Sequence, residues 1–405
     1  MRILYHHRVG SRDGQAVHID ELIHAFRSEG HEVVVVGPPG FERSAIGEGS
    51  RVAASIKRHL PKFAFELAEV AYNLPTYFRL RRAMRRAQPD FIYERYGLFL
   101  VAGTLLSRQT GIPLFLEVNS PLALERGEFG GLTLQSLATR LERWTWRHAA
   151  RVLPVTGVLA EHVRAAGVSD THVAVIPNGI DPERFPDGRD TERAKAALGL
   201  AGKVVLGFTG FIRTWHGLAS VIEYLARPDT PRELHLLVVG DGPARGELER
   251  QADRLGLRDR VTFTGLAARD DVAALIEAFD IALQPRAVSY ASPLKLFEYM
   301  ASSRAIVAPD QPNIREILSH ETNALLFEPE KPDAMAAAIS RMATDGALRE
   351  RLGAAARRTI FDRQLLWKSN AQKIVGLVAE QIAGRASEAP ATRSEHRPER
   401  RRSSG

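Results

Sequence analysis

The sequence predicts an α/β protein in which two doubly wound parallel-sheet domains face each other across a cleft. The chain has 405 residues, which is more than one hydrophobic core of ordinary size accommodates. Short apolar segments alternate with amphipathic segments twice along the chain, as in parallel sheets with crossover helices. The two series meet at VIPNGIDPERF, residues 175–185, where a turn leads into a connector containing Asp and Pro.

The composition is that of a soluble globular protein, with 44% hydrophobic and 25% charged residues. The chain has no cysteine, which excludes disulfides, thiolate catalysis and zinc sites built with Cys. No stretch approaches the roughly 18 consecutive apolar residues of a membrane span. The first residues also lack the apolar core of a signal peptide. We therefore expect a cytoplasmic protein that contacts a membrane at most peripherally, on the inner face of the plasma membrane.

The net charge of +7 is concentrated in two segments. Residues 51–86 carry nine basic and two acidic residues, and apolar side chains at helical spacing predict two amphipathic helices there. The basic side chains singled out on these helices are Arg79, Arg82, Arg85 and Arg86. They form a surface that binds either anionic lipid headgroups or an acidic acceptor. The alternative is an ordinary solvated helix face. Nucleic acid is disfavoured because no aromatic stacking platform accompanies them. Residues 384–405 are predicted to be a disordered basic tail.

In the first series, strands are predicted at residues 2–6 and 33–36, with a helix over 15–29 between them. The loop before this helix lacks the G-x-G-x-x-G pattern of a dinucleotide-binding loop, which argues against NAD binding there. Further strands are predicted at 91–93, 114–118, 151–155 and 172–176. Polar residues such as Arg95 and Asn119 follow two of these strands. Because parallel strands end at one edge of a sheet, we expect these residues to face a ligand.

In the second series, a strand at 204–209 precedes the polar loop GFIRTWHG, and a strand at 234–239 precedes GDGPARG. The glycines of the second loop are Gly240, Gly242 and Gly246. Glycines that open a helix after a strand also occur in NADP enzymes. A dinucleotide site would need an acid or an Arg after the next strand, whereas VTFTG at 261–265 ends in Thr and Gly. Dinucleotide binding is therefore the less favoured alternative for this loop.

The segment SYASPLKLFE, residues 289–298, combines a polar loop with a helix start. Ser292 is a candidate N-cap and Pro293 suits the first helical position, so the free N–H groups of the first turn form a predicted anion site. Lys295 adds a cation, and Glu298 lies about 9 Å beyond Ser292 at 1.5 Å per residue. This arrangement suits a phosphorylated ligand with hydroxyl groups. The alternative is an ordinary capped helix with a solvated Lys and Glu.

Five short segments, by their order and spacing, resemble glycosyltransferase family 4, the retaining GT-B class of group 1 type. The segments are GHEV at 30–33, VIPNGIDPERF at 175–185, GDGP at 240–243, VTFTG at 261–265 and SPLKLFEYMA at 292–301. The resemblance covers about residues 1–380 and implies two Rossmann-like domains. These are an acceptor-binding domain at 1–178 and a nucleotide-sugar-binding domain at 179–363. A helix at 364–383 would cross back to the first domain.

The resemblance also implies roles for residues that contact the donor. Glu298 matches a family Glu that hydrogen-bonds the nucleotide ribose. The family Glu that contacts the donor sugar falls at Tyr290, which donates a hydrogen bond but cannot accept as a carboxylate does. Asn119 matches a family His near the donor sugar. Both departures leave the identity of the sugar open.

The resemblance further implies a site for the diphosphate in the loop GFIRTWHG. His216 stands where the family has a Lys, and Arg213 lies near the usual position of an Arg. Lys295 is the candidate for the missing permanent cation. With Tyr290 and Asn119, Arg213 and Lys295 are the predicted catalytic residues. The other predicted donor-binding residues are Gly14, Gly210, Gly242, Gly265, Ser292, Pro293 and Leu294.

The function implied by the resemblance is that of a retaining hexosyltransferase. It would move a sugar from a UDP- or GDP-sugar to a glycan or a lipid-linked acceptor in bacterial surface polysaccharide synthesis, without a metal or another cofactor. The replaced family residues leave one alternative, a nucleotide-sugar-binding protein without transferase activity. A nucleic-acid partner is not expected.

Overall fold

The computed structural model describes residues 1–10, 14–38, 60–186 and 190–388. Of the predicted disordered tail at 384–405, residues 384–388 belong to the last helix instead, and residue 389 onward lies outside these ranges. The first part of the basic segment, up to residue 59, also lies outside them. The described chain forms two parallel β-sheets, each with a hydrophobic core on both of its faces. The predicted α/β class with two doubly wound sheets is thereby confirmed.

The first sheet has five strands in the order β2-β1-β3-β4-β5. The strands are β1 Arg2–His6, β2 Glu32–Val36, β3 Phe91–Arg95, β4 Leu114–Val118 and β5 Arg151–Pro154. Strands β3 and β4 are buried along their whole length because helices cover both faces of the sheet. The strand predicted at 172–176 is not observed as a regular strand, because a 3₁₀ turn at Asp170–His172 occupies its start. The residues that follow nevertheless lie along β5: Val173 forms a bridge to Val152, and the backbone N–H groups of Ala174 and Ile176 donate to the carbonyls of Val152 and Pro154.

In the described ranges, seven α-helices and one π-helical turn belong to the first domain. They are α1 Gly14–Ser28, α2 Lys62–Ala71, α3 Asn73–Ala87, α4 Ala102–Thr110, α5 Leu122–Glu125, the π turn Arg126–Gly130, α6 Gln135–Arg147 and α7 Gly157–Ala165. The predicted apolar face of α1, including Ile19 and Leu22, is buried in the core. This agreement is expected because apolar residues three and four positions apart share one side of a helix.

Helices α2 and α3 bury only part of their apolar residues. Leu80 and Met84 pack into the core beside the sheet. Phe63, Leu67 and Leu74 instead remain 51%, 49% and 66% exposed. Some of the apolar residues at helical spacing therefore face solvent. In an ordinary amphipathic surface helix, the solvent-facing residues are polar.

The second sheet has six strands in the order β11-β10-β9-β6-β7-β8. The strands are β6 Val204–Thr209, β7 Leu234–Val239, β8 Val261–Gly265, β9 Ile281–Leu283, β10 Ala305–Pro309 and β11 Leu325–Phe327. The edge strand β11 was not predicted, because three apolar residues after a turn are too short to display a period. All strands are parallel, so their carboxyl ends share one edge.

The remaining helices surround the second sheet and return to the first. They are α8 Thr191–Ala197, α9 Leu218–Leu225, α10 Arg245–Arg254, α11 Arg269–Glu277, α12 Leu294–Ala301, α13 Pro312–Arg315, α14 Ala334–Thr344, α15 Gly346–Asp362 and α16 Trp367–Glu388. Helix α16 packs against α1 of the first domain. None of the helices in the described ranges is both long enough and apolar enough to cross a membrane.

The chain passes twice between the two domains at the same place. Ile180, in the connector after the first sheet, forms a parallel bridge with Leu366, just before α16. A Cβ at Gly179 would lie 2.5 Å from the backbone nitrogen of Trp367, so only glycine permits this approach. Trp367 is 4% exposed and its ring lies 4.8 Å from that of His18 on α1. The crossing therefore anchors α16 on the first domain.

Candidate active site

The carboxyl ends of the two sheets face each other across a cavity of about 700 Å³. Loops after β4 and β6, the connector near residue 180 and the first turn of α12 all contribute to its walls. Clefts of this size, outside the carboxyl ends of parallel strands, are where α/β proteins commonly bind ligands. Nine of the predicted site residues line the cavity: Asn119, Gly210, Arg213, His216, Tyr290, Ser292, Leu294, Lys295 and Glu298.

Glycines allow the strand-end loops of the second sheet to pack closely. A Cβ at Gly240 would lie 2.1 Å from the carbonyl oxygen of Gly210, and a Cβ at Gly242 would lie 2.2 Å from that of Ile212. Gly240 and Gly242 thus allow contact between two loops, which accounts for these two glycines without a dinucleotide, whereas a Cβ at Gly246 would meet nothing within 4 Å. Gly240 lines the cavity, whereas Gly242 packs behind it. Gly265 ends β8 with a φ of +76°.

Ser292 and Pro293 are placed differently from expectation. Ser292 does not cap α12, because the helix begins at Leu294 and its N-cap position is Pro293, without a side-chain cap. The carbonyl of Ser292 instead accepts a hydrogen bond of 2.7 Å from Nδ2 of Asn178 in the connector between the domains. The N-cap prediction for Ser292 is therefore wrong.

Lys295 presents a covered ammonium group at the start of α12. Its carbon chain remains partly accessible, but among the described residues its Nζ has neither solvent contact nor a hydrogen-bond partner. The Nζ atom lies 3.6 Å from the centre of the Phe208 ring. Burial lowers the pKa of Lys295 to about 7, although Glu298 partly opposes this effect. An anion in the cavity would compensate the buried charge and complete its hydrogen bonds.

Arg213 and His216 frame a short 3₁₀ turn after β6, Thr214–His216. The Arg213 guanidinium lies 4.8 Å from the ring centres of both Phe211 and Trp215 and has no carboxylate partner within the described ranges. Nδ1 of His216 accepts from the backbone N–H of Arg213 at 3.3 Å, which assigns the ring proton to Nε2. Burial, together with Lys295 and Arg213, lowers the pKa of His216 to about 3. His216 is therefore a neutral donor, and Lys295 and Arg213 carry the positive charge.

Glu298 lies one turn of α12 beyond Lys295, in the same wall of the cavity. Burial raises its pKa, while Lys295 and Arg269 oppose this increase. Arg269 also forms an ion pair with Glu21 on α1, and Arg184 lies 3.3 Å from the same carboxylate. These ion pairs across the cleft were not predicted, since a single charged residue on a helix gives no local signal of its partner.

Asn119 belongs to a buried polar network on the N-terminal side. Its Nδ2 donates to Oε1 of Glu117 at 2.5 Å. His18 lies 3.1 Å from the same carboxylate, and Arg95 pairs with it. Although burial opposes ionisation, His18 and Arg95 hold the pKa of Glu117 well below its usual range. The carboxylate is thus charged and fixes the amide of Asn119 at the cavity. His18, on α1, was not predicted as a site residue.

Tyr290 reaches from the second domain into the first. Its hydroxyl donates to Oε2 of Glu125 at 3.1 Å, and its backbone carbonyl accepts from Oγ1 of Thr156 at 3.0 Å. Burial, followed by the nearby Glu125, raises the pKa of Tyr290 well above its usual value. Tyr290 is consequently a neutral phenol whose proton is committed to Glu125.

The basic residues predicted on α3 do not form one uniform surface. Arg82, Arg85 and Arg86 are exposed, whereas Arg79 is half-buried. The guanidinium of Arg79 donates to the carbonyl of Gly37 and, at 3.3 Å, to the hydroxyl of Tyr72. Arg79 is therefore tied to its own domain.

Comparison with known protein families accounts for both halves of this architecture. Residues 12–184 match the model described as Glycosyltransferase Family 4, and residues 203–345 match the model described as Glycosyl transferases group 1. The chain belongs to the group 1 glycosyltransferases. These matches identify its activity as that of a glycosyltransferase.

Two relatives of this glycosyltransferase come from Streptomyces kanamyceticus. The present chain is 28% identical to a 2-deoxystreptamine glucosyltransferase over 78% of its own length and 85% of the relative. It is 26% identical to an alpha-D-kanosaminyltransferase over 81% of this chain and 89% of the relative. Among solved structures, Anabaena HepE in complex with UDP matches with a TM-score of 0.75 at 20% identity, covering 94% of this chain and all of that one. The latter likeness confirms the predicted GT-B fold.

Proposed function

We propose that this glycosyltransferase moves a hexose from a nucleoside-diphosphate donor to a hydroxyl acceptor with retention of configuration. The observation that carries the proposal is the buried ammonium of Lys295, a residue that lines the cavity and whose Nζ has no hydrogen-bond partner in the described part of the chain. It lies where α12 begins, beside the Arg213 turn. UDP is the favoured nucleotide, since structures of the similarly folded HepE hold UDP and UDP-glucose.

The proposed chemistry requires stabilisation of a leaving diphosphate. As the bond between the anomeric carbon and the phosphate oxygen breaks, negative charge grows on the diphosphate. Lys295, Arg213 and the free N–H groups of the first turn of α12 are suited to receive it. The acceptor oxygen then bonds to the anomeric carbon on the same face, and its proton passes to the departing phosphate oxygen. Closure of the cleft would keep water away from the donor.

A panel of nucleotides tests the donor proposal. We expect UDP and UDP-glucose to raise the melting temperature of the protein, because a ligand that binds only the folded state stabilises it. GDP and GDP-mannose form the comparison set. Incubation of the stabilising donor with candidate acceptors, followed by analysis of the anomer produced, tests transfer and retention. The absence of stabilisation by every nucleotide would refute the donor site, and an inverted product would refute retention.

The acceptor that we propose is a glycan or a lipid-linked saccharide at an anionic membrane surface. The exposed residues Leu74, Phe78, Arg82 and Arg85 follow one another at intervals of three or four along α3 and therefore share one side of it. An exposed helix side with both apolar and basic residues is typical of peripheral membrane binding. The name 2-deoxystreptamine glucosyltransferase favours a second candidate, a small soluble acceptor.

We predict that the protein co-sediments with vesicles containing phosphatidylcholine and phosphatidylglycerol more than with phosphatidylcholine alone. The double substitution Arg82→Glu/Arg85→Glu should weaken this binding about tenfold or more, because each basic residue near an anionic surface contributes roughly 1 kcal/mol. A matched control is Arg250→Glu/Arg254→Glu, which reverses two exposed charges on α10 of the other domain. Equal binding to both vesicle types, or equal loss in both double variants, would favour the soluble acceptor.

A further inference from the structure

The carboxylate of Glu125 occupies the wall of the cavity opposite the cations. Lys295 and Arg213 belong to the second domain, whereas Glu125 ends helix α5 of the first. Glu125 is half-buried, and among the described residues only the hydroxyl of Tyr290 donates to it. A carboxylate has two oxygens and accepts several hydrogen bonds, so most of its capacity remains available to a ligand.

Tyr290 has little capacity of its own to donate to a ligand. Its ring is 6% exposed and packs in the core of the first domain. A phenol has one proton, and that proton is directed at Glu125. The phenol oxygen therefore accepts hydrogen bonds only, while its proton orients one oxygen of the carboxylate. The polar group that can accept from several hydroxyls is Glu125 and not Tyr290.

The turn that carries Glu125 is held in place on both sides. The backbone N–H of Ala123, in the same short helix, donates to Oε2 of the buried Glu142 at 3.1 Å. The guanidinium of Arg126, the next residue, lies 2.6 Å from Oε2 of Glu69. These contacts fix the backbone around Glu125 independently of Tyr290. A carboxylate held in this way can bind a ligand without first becoming ordered.

We propose that Glu125 binds hydroxyl groups of the transferred sugar, with Tyr290 as a positioning residue for its carboxylate. The inference rests on the proposed function, because it assigns the diphosphate to the cations of the second domain and the sugar to the facing wall. Hydroxyl groups donate strong, charge-assisted hydrogen bonds to carboxylates. Tyr290 and Glu125 belong to different domains, so the sugar subsite would be complete only when the domains are close enough for these two side chains to touch. Binding of the sugar would therefore favour closure of the cleft between the domains.

The test compares each nucleotide sugar with its bare nucleoside diphosphate by titration calorimetry. The probes are UDP-glucose, UDP-galactose, UDP-N-acetylglucosamine and GDP-mannose, each measured against UDP or GDP. For the sugar that the wild type transfers, Glu125→Ala should raise the ratio of the nucleotide-sugar Kd to the nucleotide Kd about 10- to 100-fold, as expected for lost hydrogen bonds to a charged group. The Kd for the bare nucleotide should remain unchanged, which also shows that the variant is folded.

Two further variants separate the roles of the residues. Tyr290→Phe should raise the ratio less than Glu125→Ala, because the carboxylate remains and only its orientation is lost. Glu128→Gln is the matched control, since this exposed carboxylate lies in the following π turn and is not among the cavity-lining residues. An unchanged ratio in Glu125→Ala, or an equal change in Glu128→Gln, would overturn the inference while leaving the donor site intact. Failure of the wild type to bind UDP or GDP would overturn the proposed function itself.

Discussion

Replacing Lys295 with Ala is expected to lower kcat about 100- to 1,000-fold, the usual cost of removing one donor that stabilises developing negative charge. Lys295 has the buried ammonium nearest the start of α12, and neither the neutral His216 nor the distant surface cations can replace its charge. Single-turnover measurement of transfer at saturating donor checks this. Lys331→Ala, which removes an exposed Lys, serves as the control.

The pH dependence of binding provides an independent test of Lys295. Its pKa of about 7 in the free protein should rise when a diphosphate binds, because a nearby anion favours the charged form. Above pH 7, binding must then take up a proton, and the affinity for UDP should fall by up to about tenfold per pH unit. In Lys295→Met this dependence should disappear. A wild-type affinity that is constant from neutral to alkaline pH would contradict the assignment.

Substitution of Glu298 is expected to have the second largest effect. Glu298→Ala should weaken UDP binding about 10- to 100-fold if its carboxylate accepts hydrogen bonds from the ribose. The loss of Glu298 would also remove the negative charge that opposes the lowering of the Lys295 pKa. Isothermal titration with UDP measures the loss, and Glu330→Ala, at an exposed position, is the matched control.

Deoxyribose analogues distinguish contact with the ribose from a general electrostatic effect. The wild type should bind 2′-deoxy-UDP or 3′-deoxy-UDP more weakly than UDP, whereas Glu298→Ala should no longer distinguish them. Glu298→Gln should retain part of the discrimination, since its amide oxygen still accepts one hydrogen bond. Equal discrimination in the wild type and in Glu298→Ala would show that Glu298 does not contact the ribose.

The elements of the fold were predictable wherever the pattern was long enough to show its period. The helix predicted at 15–29 is observed at Gly14–Ser28, and the strand predicted at 204–209 is observed at Val204–Thr209. The three-residue strand β11 was missed for lack of length. The segment predicted as a strand at 172–176 does hydrogen-bond to β5, but a 3₁₀ turn occupies its start, which an apolar run does not reveal.

Residues of the candidate site were predictable where local geometry places them, and unpredictable where they meet residues from distant parts of the chain. Lys295 and Glu298 were identified from ten consecutive residues, because a helix start fixes their spacing. Tyr290 was also identified, but its partner Glu125 lies 165 positions away in the chain. Arg269 and Glu21 are 248 positions apart. No local pattern encodes such pairs, since they exist only when the two domains come together.

The sequence by itself determined two parallel sheets, their ligand-facing edges and the cation at the start of α12. Each of these follows from short-range periodicity or from the geometry of one helix. Only the tertiary structure decided that the Lys295 ammonium is buried without a hydrogen-bond partner among the described residues, that His216 is neutral and that Glu125 accepts a hydrogen bond from Tyr290. These properties depend on burial and on charges brought from remote parts of the chain. For that reason, they belong to the folded molecule and not to any one segment.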